Sequence, residues 1–495
     1  MFNFKTACYP FQETVFNDTK DKKSWGLWLE QGLGKTKIIL DTAAYLALKG
    51  EITGMLVVAP NGVHTNWVTD EIPKHFALNK VCSYTYYTSK VKTIHHKQAV
   101  EAILTTKDFA VMVMSYDAIL TKEGATTAKK FMKARPLLYV LDEVNRIKNP
   151  KAKTSKSILK SGAYCPYRRA LTGTPTPNGP FDIYNPIQWL DDGFWTRFRL
   201  GSFWMFKHYF AEMVKMKTNL GHEYDAVKQV RNAKTGEWEK QYRNLDELQK
   251  IQGEISTRLT KEEVLPDLPP KLFSRRYYEM NSEQKRVYKD LVEQCYSELN
   301  GKYATADLAI ILLLRLQQVI CGYVPIMDLK DPFQKKTLAL LGDTNPRMLL
   351  LAELCEDTPH QGIIWARFNQ DINLIMDLLG KDAVQYDGQV NDEDRVENVA
   401  KFKRGDVKWF VSKPEVGGEG LTLTMAKTVI YYNNNFNLKD RLQSEDRAHR
   451  IGTKTAVNYY DLVCQDTVDE KILGSLLSKF NISKQINGDT LKSWF

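Results

Sequence analysis

Cysteine is sparse and scattered: Cys8, Cys82, Cys165, Cys295, Cys321, Cys355 and Cys464 are the only seven in 495 residues. No two stand at the close spacing of a zinc site or a redox pair, which implies a reducing cytosol (the host cell's, if the protein is viral) and no structural metal. Long apolar runs are missing too. The longest aliphatic stretch is Leu308 to Leu314, far short of the roughly 18 residues that would span a bilayer. The N-terminus has no basic region followed by an apolar stretch, so nothing targets the chain to a membrane or for export. Short-period repeats and low-complexity tracts are lacking, which argues against a solenoid. What is present is 43% hydrophobic and 26% charged residues, the composition of a globular protein with room for about three domains. The formal net charge of +10 suits a polyanionic partner, although many enzymes are equally basic.

Residues 1 to about 190 alternate short aliphatic runs with helical stretches. Met55 to Ala59, Val111 to Met114 and Leu137 to Leu141 each end in polar or glycine-bearing loops, the rhythm of a parallel sheet covered by helices. From about 192 to 265 the chain becomes aromatic and charged, with Phe194, Trp195, Phe198, Phe203, Trp204, Phe206, Tyr209 and Phe210, and reads as an insertion rather than a sheet. Ser282 to about Leu316 reads as helices, Gln317 to Pro325 as the closing connection, and Lys330 to Asn345 as an exposed loop. Alternation resumes from Gly362, with strands expected at Ile363 to Ala366, Trp409 to Ser412 and Val429 to Tyr432. Two α/β units thus bracket a partly helical middle.

Gly32-Leu33-Gly34-Lys35-Thr36 precedes an aliphatic helical run, Ile38 to Leu48. Small residues let backbone N–H groups and a helix N-terminus approach an anion, Lys35 supplies positive charge, and the Thr36 hydroxyl can bind magnesium. The general phosphate-loop pattern would place another glycine where Leu29 stands, so the loop alone could also be a mere turn. About a hundred residues later the apolar run Leu137 to Leu141 ends in Asp142 and Glu143. Asp142 would hold magnesium and Glu143 would orient or deprotonate an attacking water. Two acids after a strand are often a solvated turn; the conjunction with the loop favours a nucleotide site.

Taken in order, the motifs resemble the Swi/Snf-type family of superfamily-two helicases and DNA translocases, over nearly the whole chain. Tyr9-Pro10-Phe11-Gln12 looks like the segment in which a glutamine reads adenine, and Glu30 to Thr36 is similar to the family's phosphate loop, which does not require the missing glycine. Leu56 to Pro60 through Asn66-Trp67, Ser115-Tyr116, Asp142 to Asn149 and Leu171 to Pro175 fit the rest of the first lobe. The second lobe matches through Tyr386-Asp387-Gly388, Ser412 with Gly417 to Leu421, and Gln443 to Gly452. Arg258 to Lys261 before Leu268 to Lys271 resembles the helical protrusion and its return, and Leu314 to Cys321 the linker.

The resemblance implies two RecA-like parallel-sheet lobes with a helical protrusion between them: a first lobe over 1–191, the insertion over 192–270, a linker with helices over 271–345 and a second lobe over 346–495. ATP with magnesium would be held by Gln12, Gly32, Gly34, Lys35 and Thr36 from the first lobe and by Gly418, Gly420 and Gln443 from the second, with Thr36 and Asp142 on the metal. Lys35, Asp142 and Glu143 would act with Arg447 and Arg450, which, three apart, would share one helical face; beside Glu445 and Asp446 the pair could equally be a salt-bridged surface helix. DNA contacts would come from Asn66, Ser115, Lys413 and Phe436. Three departures stand out. Val144-Asn145 replaces the family's alanine and histidine, Lys413-Pro414 its threonine and arginine, and Phe436 its tryptophan.

These readings imply an ATP-dependent translocase on double-stranded DNA that remodels branched structures such as forks or Holliday junctions. The chain's end at Phe495, soon after the last motif, suggests that no chromatin-reading domain follows. The alternatives are displacement of bound proteins such as a polymerase from duplex, a nucleotide-gated clamp without turnover, and an RNA helicase, the last disfavoured by the string around Arg447 and by the protrusion.

Overall fold

The computed structural model describes residues 2–61, 63–162, 164–217, 223–231, 238–300, 306–326, 337–417 and 421–487. The chain divides into two compact units, one of Met1–Val214, Ala226–Leu268 and Lys479–Leu491, the other of Lys215–Asp225, Pro269–Ser478 and Lys492–Phe495.

The first unit is built on a parallel sheet of seven strands in the order Ser256–Leu259, Ser24–Leu29, Tyr167–Leu171, Leu137–Asp142, Gly54–Ala59, Phe109–Ser115, Val81–Thr85. Gly54–Ala59 and Phe109–Ser115 are buried along their whole length, as continuous Val- and Met-rich runs must be when helices cover both faces of a sheet. Successive side chains go to opposite faces. Leu56, Val58, Met112, Met114, Tyr139 and Leu141 enter one core, and Met55, Val57, Val111, Val113, Leu138 and Val140 the other.

The aromatic segment joins this unit. Phe194, Trp195, Phe206 and Phe210 lie in the same core as Tyr139 and Leu141, with Trp195 stacked on Tyr184 at 5.6 Å between ring centroids. Helices span Phe194–Arg197, Phe203–Phe210 and Leu245–Gly253, and Gln229–Arg231 pairs with Trp238–Lys240 as a short hairpin. Ser256–Leu259 is the edge strand of the first sheet, parallel to Ser24–Leu29. Its sequence, Ser-Thr-Arg-Leu, carries no apolar alternation, so the stretch expected wholly as an insertion over 192–270 conceals a strand.

The second unit holds a parallel sheet of six strands, in the order Lys271–Tyr278, Val457–Cys464, Thr428–Tyr431, Gly362–Trp365, Trp409–Ser412, Ala383–Tyr386. Helices Ser282–Asn300 and Ala306–Ile320 occupy the region read as helical. Two expectations for 317–345 are corrected: Tyr323–Ile326 pairs antiparallel with Thr337–Leu340, a hairpin where a connection and an exposed loop were expected, while 330–336 lie outside the described residues. Helix Val468–Asn487 starts in the second unit, and from Lys479 the chain counts with the first; there Gln252 Nε2 donates to the carbonyl of Ile486 at 2.7 Å. A single helix period gives no sign of that change of unit.

Arg347 is wholly buried in the second unit. Its guanidinium pairs with Asp469 and donates to the Tyr278 hydroxyl at 2.6 Å and to Cys321 Sγ at 3.2 Å. A buried pair broken from one side leaves a charge without water or partner. Arg347→Ala is therefore expected to cost about 3–5 kcal/mol, read as a lowered urea midpoint for the second unit. Removal of the exposed Arg404 should leave that midpoint in place.

Candidate nucleotide site

Sheet order brings sequence-distant segments together. Ser24–Leu29, Tyr167–Leu171 and Leu137–Asp142 are adjacent and parallel, so the loops that follow them open at one edge, the carboxyl end at which parallel sheets bind ligands. The first of these loops turns through Gly32 and Gly34, with φ of 84° and 77°, a region that costs glycine nothing. Helix Lys35–Leu48 begins directly after Gly34, so its free N–H groups and dipole point at the same edge. Thr36 lies half-buried in its first turn.

At Leu29 the chain is still strand, in register with Leu259 and fully buried. A glycine is unnecessary there because the backbone has not begun to turn. Lys35 Nζ donates to the carbonyls of Leu29 at 2.8 Å and Glu30 at 3.3 Å. Gln12 packs on the loop: its Nε2 donates to the Leu33 carbonyl at 3.1 Å, its Oε1 accepts the Tyr9 N–H at 3.1 Å, and a side chain at Gly34 would collide with it. The glutamine expected to read adenine is seen to brace the glycine loop.

Asp142 and Glu143 end the strand side by side. Trp67 Nε1 donates to Asp142 Oδ2 at 3.2 Å and the Glu143 N–H to Asp142 Oδ1 at 3.0 Å. Burial, and then the neighbouring Glu143 charge, push the Asp142 carboxyl up to about 6. Crowded carboxylates of this kind call for a cation. Together with Thr36 at the helix start, this donor set fits magnesium carried by a triphosphate. Glu143 has φ 51° and ψ 54°, the left-handed region, a strain of order 1–3 kcal/mol for a side-chain-bearing residue and a mark of functional sites. Its oxygens accept Gln31 Nε2 at 2.8 Å and Asn145 Nδ2 at 3.3 Å. Gln31, Trp67 and Thr172 were not singled out by chemistry in the sequence; only the strand order places them here.

In the second unit Arg447 and Arg450 do not share a helix. Helix Leu438–Ala448 ends before Arg450, which corrects the expectation of one helical face. The two guanidiniums nevertheless converge: Arg447 Nη1 donates to the Leu421 carbonyl at 2.8 Å, and Arg450 Nη1 to the same oxygen at 3.3 Å and to Thr422 Oγ1 at 2.8 Å. Glu445 and Asp446 bind Lys271 at 3.0 and 3.1 Å, and Glu445 also binds Arg441 at 2.8 Å. Gln443 is buried, and its carbonyl accepts Arg447 Nε at 3.0 Å. Gly418 and Gly420 lie outside the described residues.

Of the residues expected on DNA, Asn66 and Ser115 lie in the first unit and Lys413 and Phe436 in the second. Ser115 is buried and its hydroxyl oxygen accepts the Ala118 N–H at 3.0 Å. Asn66 is half-buried at the end of helix His64–Asn66, ahead of the π-helical turn Trp67–Glu71. Lys413 and Phe436 are half-buried in the second unit.

These features define a parallel-sheet α/β protein whose first unit carries a glycine loop and two acids at the carboxyl edge of its sheet. The SNF2-related domain family matches residues 19–322 and the helicase conserved C-terminal domain family matches 346–452; the chain belongs to the SNF2-related family. It is 25% identical, over 92% of its own length and 26% of the relative's, to TATA-binding protein-associated factor MOT1 of Saccharomyces cerevisiae. It is 24% identical over 96% of its length to ATP-dependent helicase fft1 of Schizosaccharomyces pombe, covering 53% of that protein, and 23% identical over 92% to the ISWI chromatin-remodeling complex ATPase ISW2 of S. cerevisiae, covering 38%. The chain therefore spans between about a quarter and a half of these relatives. Among its described residues no helix is long and apolar enough to cross a membrane.

The Asp142 shift, from 3.8 to about 6, has a defined sign. Neutral Asp142 is favoured by the fold, so its stabilising effect is full below pH 3.8 and is lost as pH rises through about 6. Metal needs the anion. Magnesium–nucleotide binding should strengthen as pH rises through about 6 and release a proton below it, measured by calorimetry in buffers of different ionisation enthalpy. Asp142→Asn should abolish the proton release.

Proposed function

We propose that the chain is an ATP-driven motor that travels on double-stranded DNA and remodels branched DNA such as forks or Holliday junctions. The observation that carries the ATPase part is the convergence of Lys35, Asp142 and Glu143 at the ends of two strands that flank Tyr167–Leu171, in a chain of a family whose relatives include a named helicase and a named remodelling ATPase. Lys35 exchanges the carbonyls of Leu29 and Glu30 for phosphate oxygens, and Gly32 and Gly34 let backbone N–H groups approach them. Thr36 and Asp142 would hold magnesium, which would supply positive charge against the transferring phosphoryl group. Glu143 orients the attacking water and accepts its proton. Arg447 and Arg450 serve as the guanidiniums that stabilise charge developing in the transition state.

A tracking motor grips phosphates rather than base edges, because it must pass over any sequence. The net charge of +10 suits that role. Asn66, Ser115, Lys413 and Phe436 are the candidate contacts, with Lys413 supplying charge and Phe436 a ring for the groove. A second reading is that the motor displaces a bound protein such as a polymerase from duplex. A nucleotide clamp without turnover fits less well with an intact set of lysine and acids.

The test is ATP turnover with single-stranded, duplex, forked and four-way DNA, together with branch migration and triplex displacement. Duplex should stimulate turnover, with the largest effect for branched forms, and Lys35→Ala should remove it. No stimulation by any DNA defeats the motor reading; triplex displacement without junction movement replaces junction remodelling by protein displacement. Arg447→Ala and Arg450→Ala should each lower kcat by about 10³-fold or more with KM for ATP little changed, the magnitude seen for transition-state arginines.

A further inference from the structure

Glu143 is held from both sides by uncharged amides that come from different loops. Gln31, in the turn just before Gly32, donates Nε2 to Oε1 at 2.8 Å. Asn145, 5% exposed, has Nδ2 within reach of four acceptors that share its two protons: Glu143 Oε2 at 3.3 Å, Thr172 Oγ1 and Thr174 Oγ1, both at 3.2 Å, and the Thr174 carbonyl at 3.4 Å. The hydroxyl of Thr172 completes the arrangement: it donates to Glu143 Oε2 at 3.4 Å and accepts the Thr174 N–H at 3.1 Å. One hydroxyl has one proton and two lone pairs, and all three are used.

Gln31 reaches this position because Gly173 has no side chain. A Cβ at Gly173 would stand 3.0 Å from Gln31 Cγ and 3.1 Å from its Nε2, so Gln31 would have to give way by a few tenths of an ångström. The phosphate loop, the acid-bearing turn and the 172–174 segment therefore meet on one carboxylate, which itself sits on a strained backbone. A buried carboxylate with donors on both oxygens has its orientation over-determined, and that is how a surrounding shell fixes a reacting group.

We propose that Gln31 and Asn145 are paired positioning residues, an amide clamp that sets the Glu143 carboxylate for its water and ties the phosphate loop to the 172–174 segment. The inference rests on the ATPase reading above and extends it to two residues that act through Glu143. Both amides act on one group, so their effects are coupled: with one lost, the remaining donors still hold the carboxylate but no longer set its orientation, and loss of the second adds little.

The experiment is steady-state ATP turnover of the full chain with saturating duplex DNA for wild type, Gln31→Ala, Asn145→Ala, the double variant and Asn145→Gln, with thermal midpoints measured alongside. Each single alanine variant should lower kcat by about 10–100-fold with KM for ATP within about twofold, the signature of an interaction that matters to the chemical step rather than to ground-state binding. The double variant should fall little further, and Asn145→Gln, which keeps the donor, should recover part of the rate. Unchanged kcat in both alanine variants overturns the clamp, as does a KM rise matched to the kcat fall with a lowered midpoint, or full additivity in the double variant. Wild type without DNA-stimulated turnover defeats the underlying ATPase reading itself, and the clamp with it.

Discussion

Parallel pairing of Tyr167–Leu171 with Ser24–Leu29 on one side and Leu137–Asp142 on the other is the constraint from which the candidate site follows. Strands that run the same way end at the same edge, so loops separated by more than a hundred residues open toward one point. The pairing is enforced by burial. Arg168 and Arg169 apart, the inner residues of these strands are apolar and alternately fill two separate cores, and a slip of one residue would exchange the faces. The position of Lys35 relative to Asp142 is thus a by-product of how Val, Leu and Met pack.

The same burial puts the site under tension. Asp142 is pushed toward its neutral form by loss of water and by the charge of Glu143, and Glu143 is carried in a left-handed backbone. A fold tolerates such a place only if the surroundings over-determine it. The hydrogen bonds of Trp67, Gln31, Asn145 and Thr172 supply that. The second unit separates charges in a comparable way. Glu445 and Asp446 are claimed by Lys271 and Arg441, whereas the Arg447 and Arg450 guanidiniums donate to a backbone carbonyl.

Periodicity could show the central strands because they are continuous apolar runs; Gly54–Ala59, Leu137–Asp142 and Trp409–Ser412 were legible for that reason. It could not show Ser256–Leu259 or Lys271–Tyr278. Both are edge strands, polar or charged in sequence, and their strand character comes from the neighbour they pair with. Arg450 looked helical from its spacing, but the helix ends at Ala448, and end positions are the part of an element that local sequence defines least.

The amino-acid order by itself determined which chemistry is available: glycines that permit the phosphate turn, a lysine at a helix start, two acids at the end of an apolar run, two arginines near a helix end. Those properties belong to single residues and their immediate neighbours. Only the tertiary structure decided that Gln12 braces the loop, that Leu29 needs no glycine because it is still strand, and that Gln31 and Asn145 bracket one carboxylate. Such relations depend on strand order and register, which arise from the packing of the whole sheet and leave no mark in any short stretch of the chain.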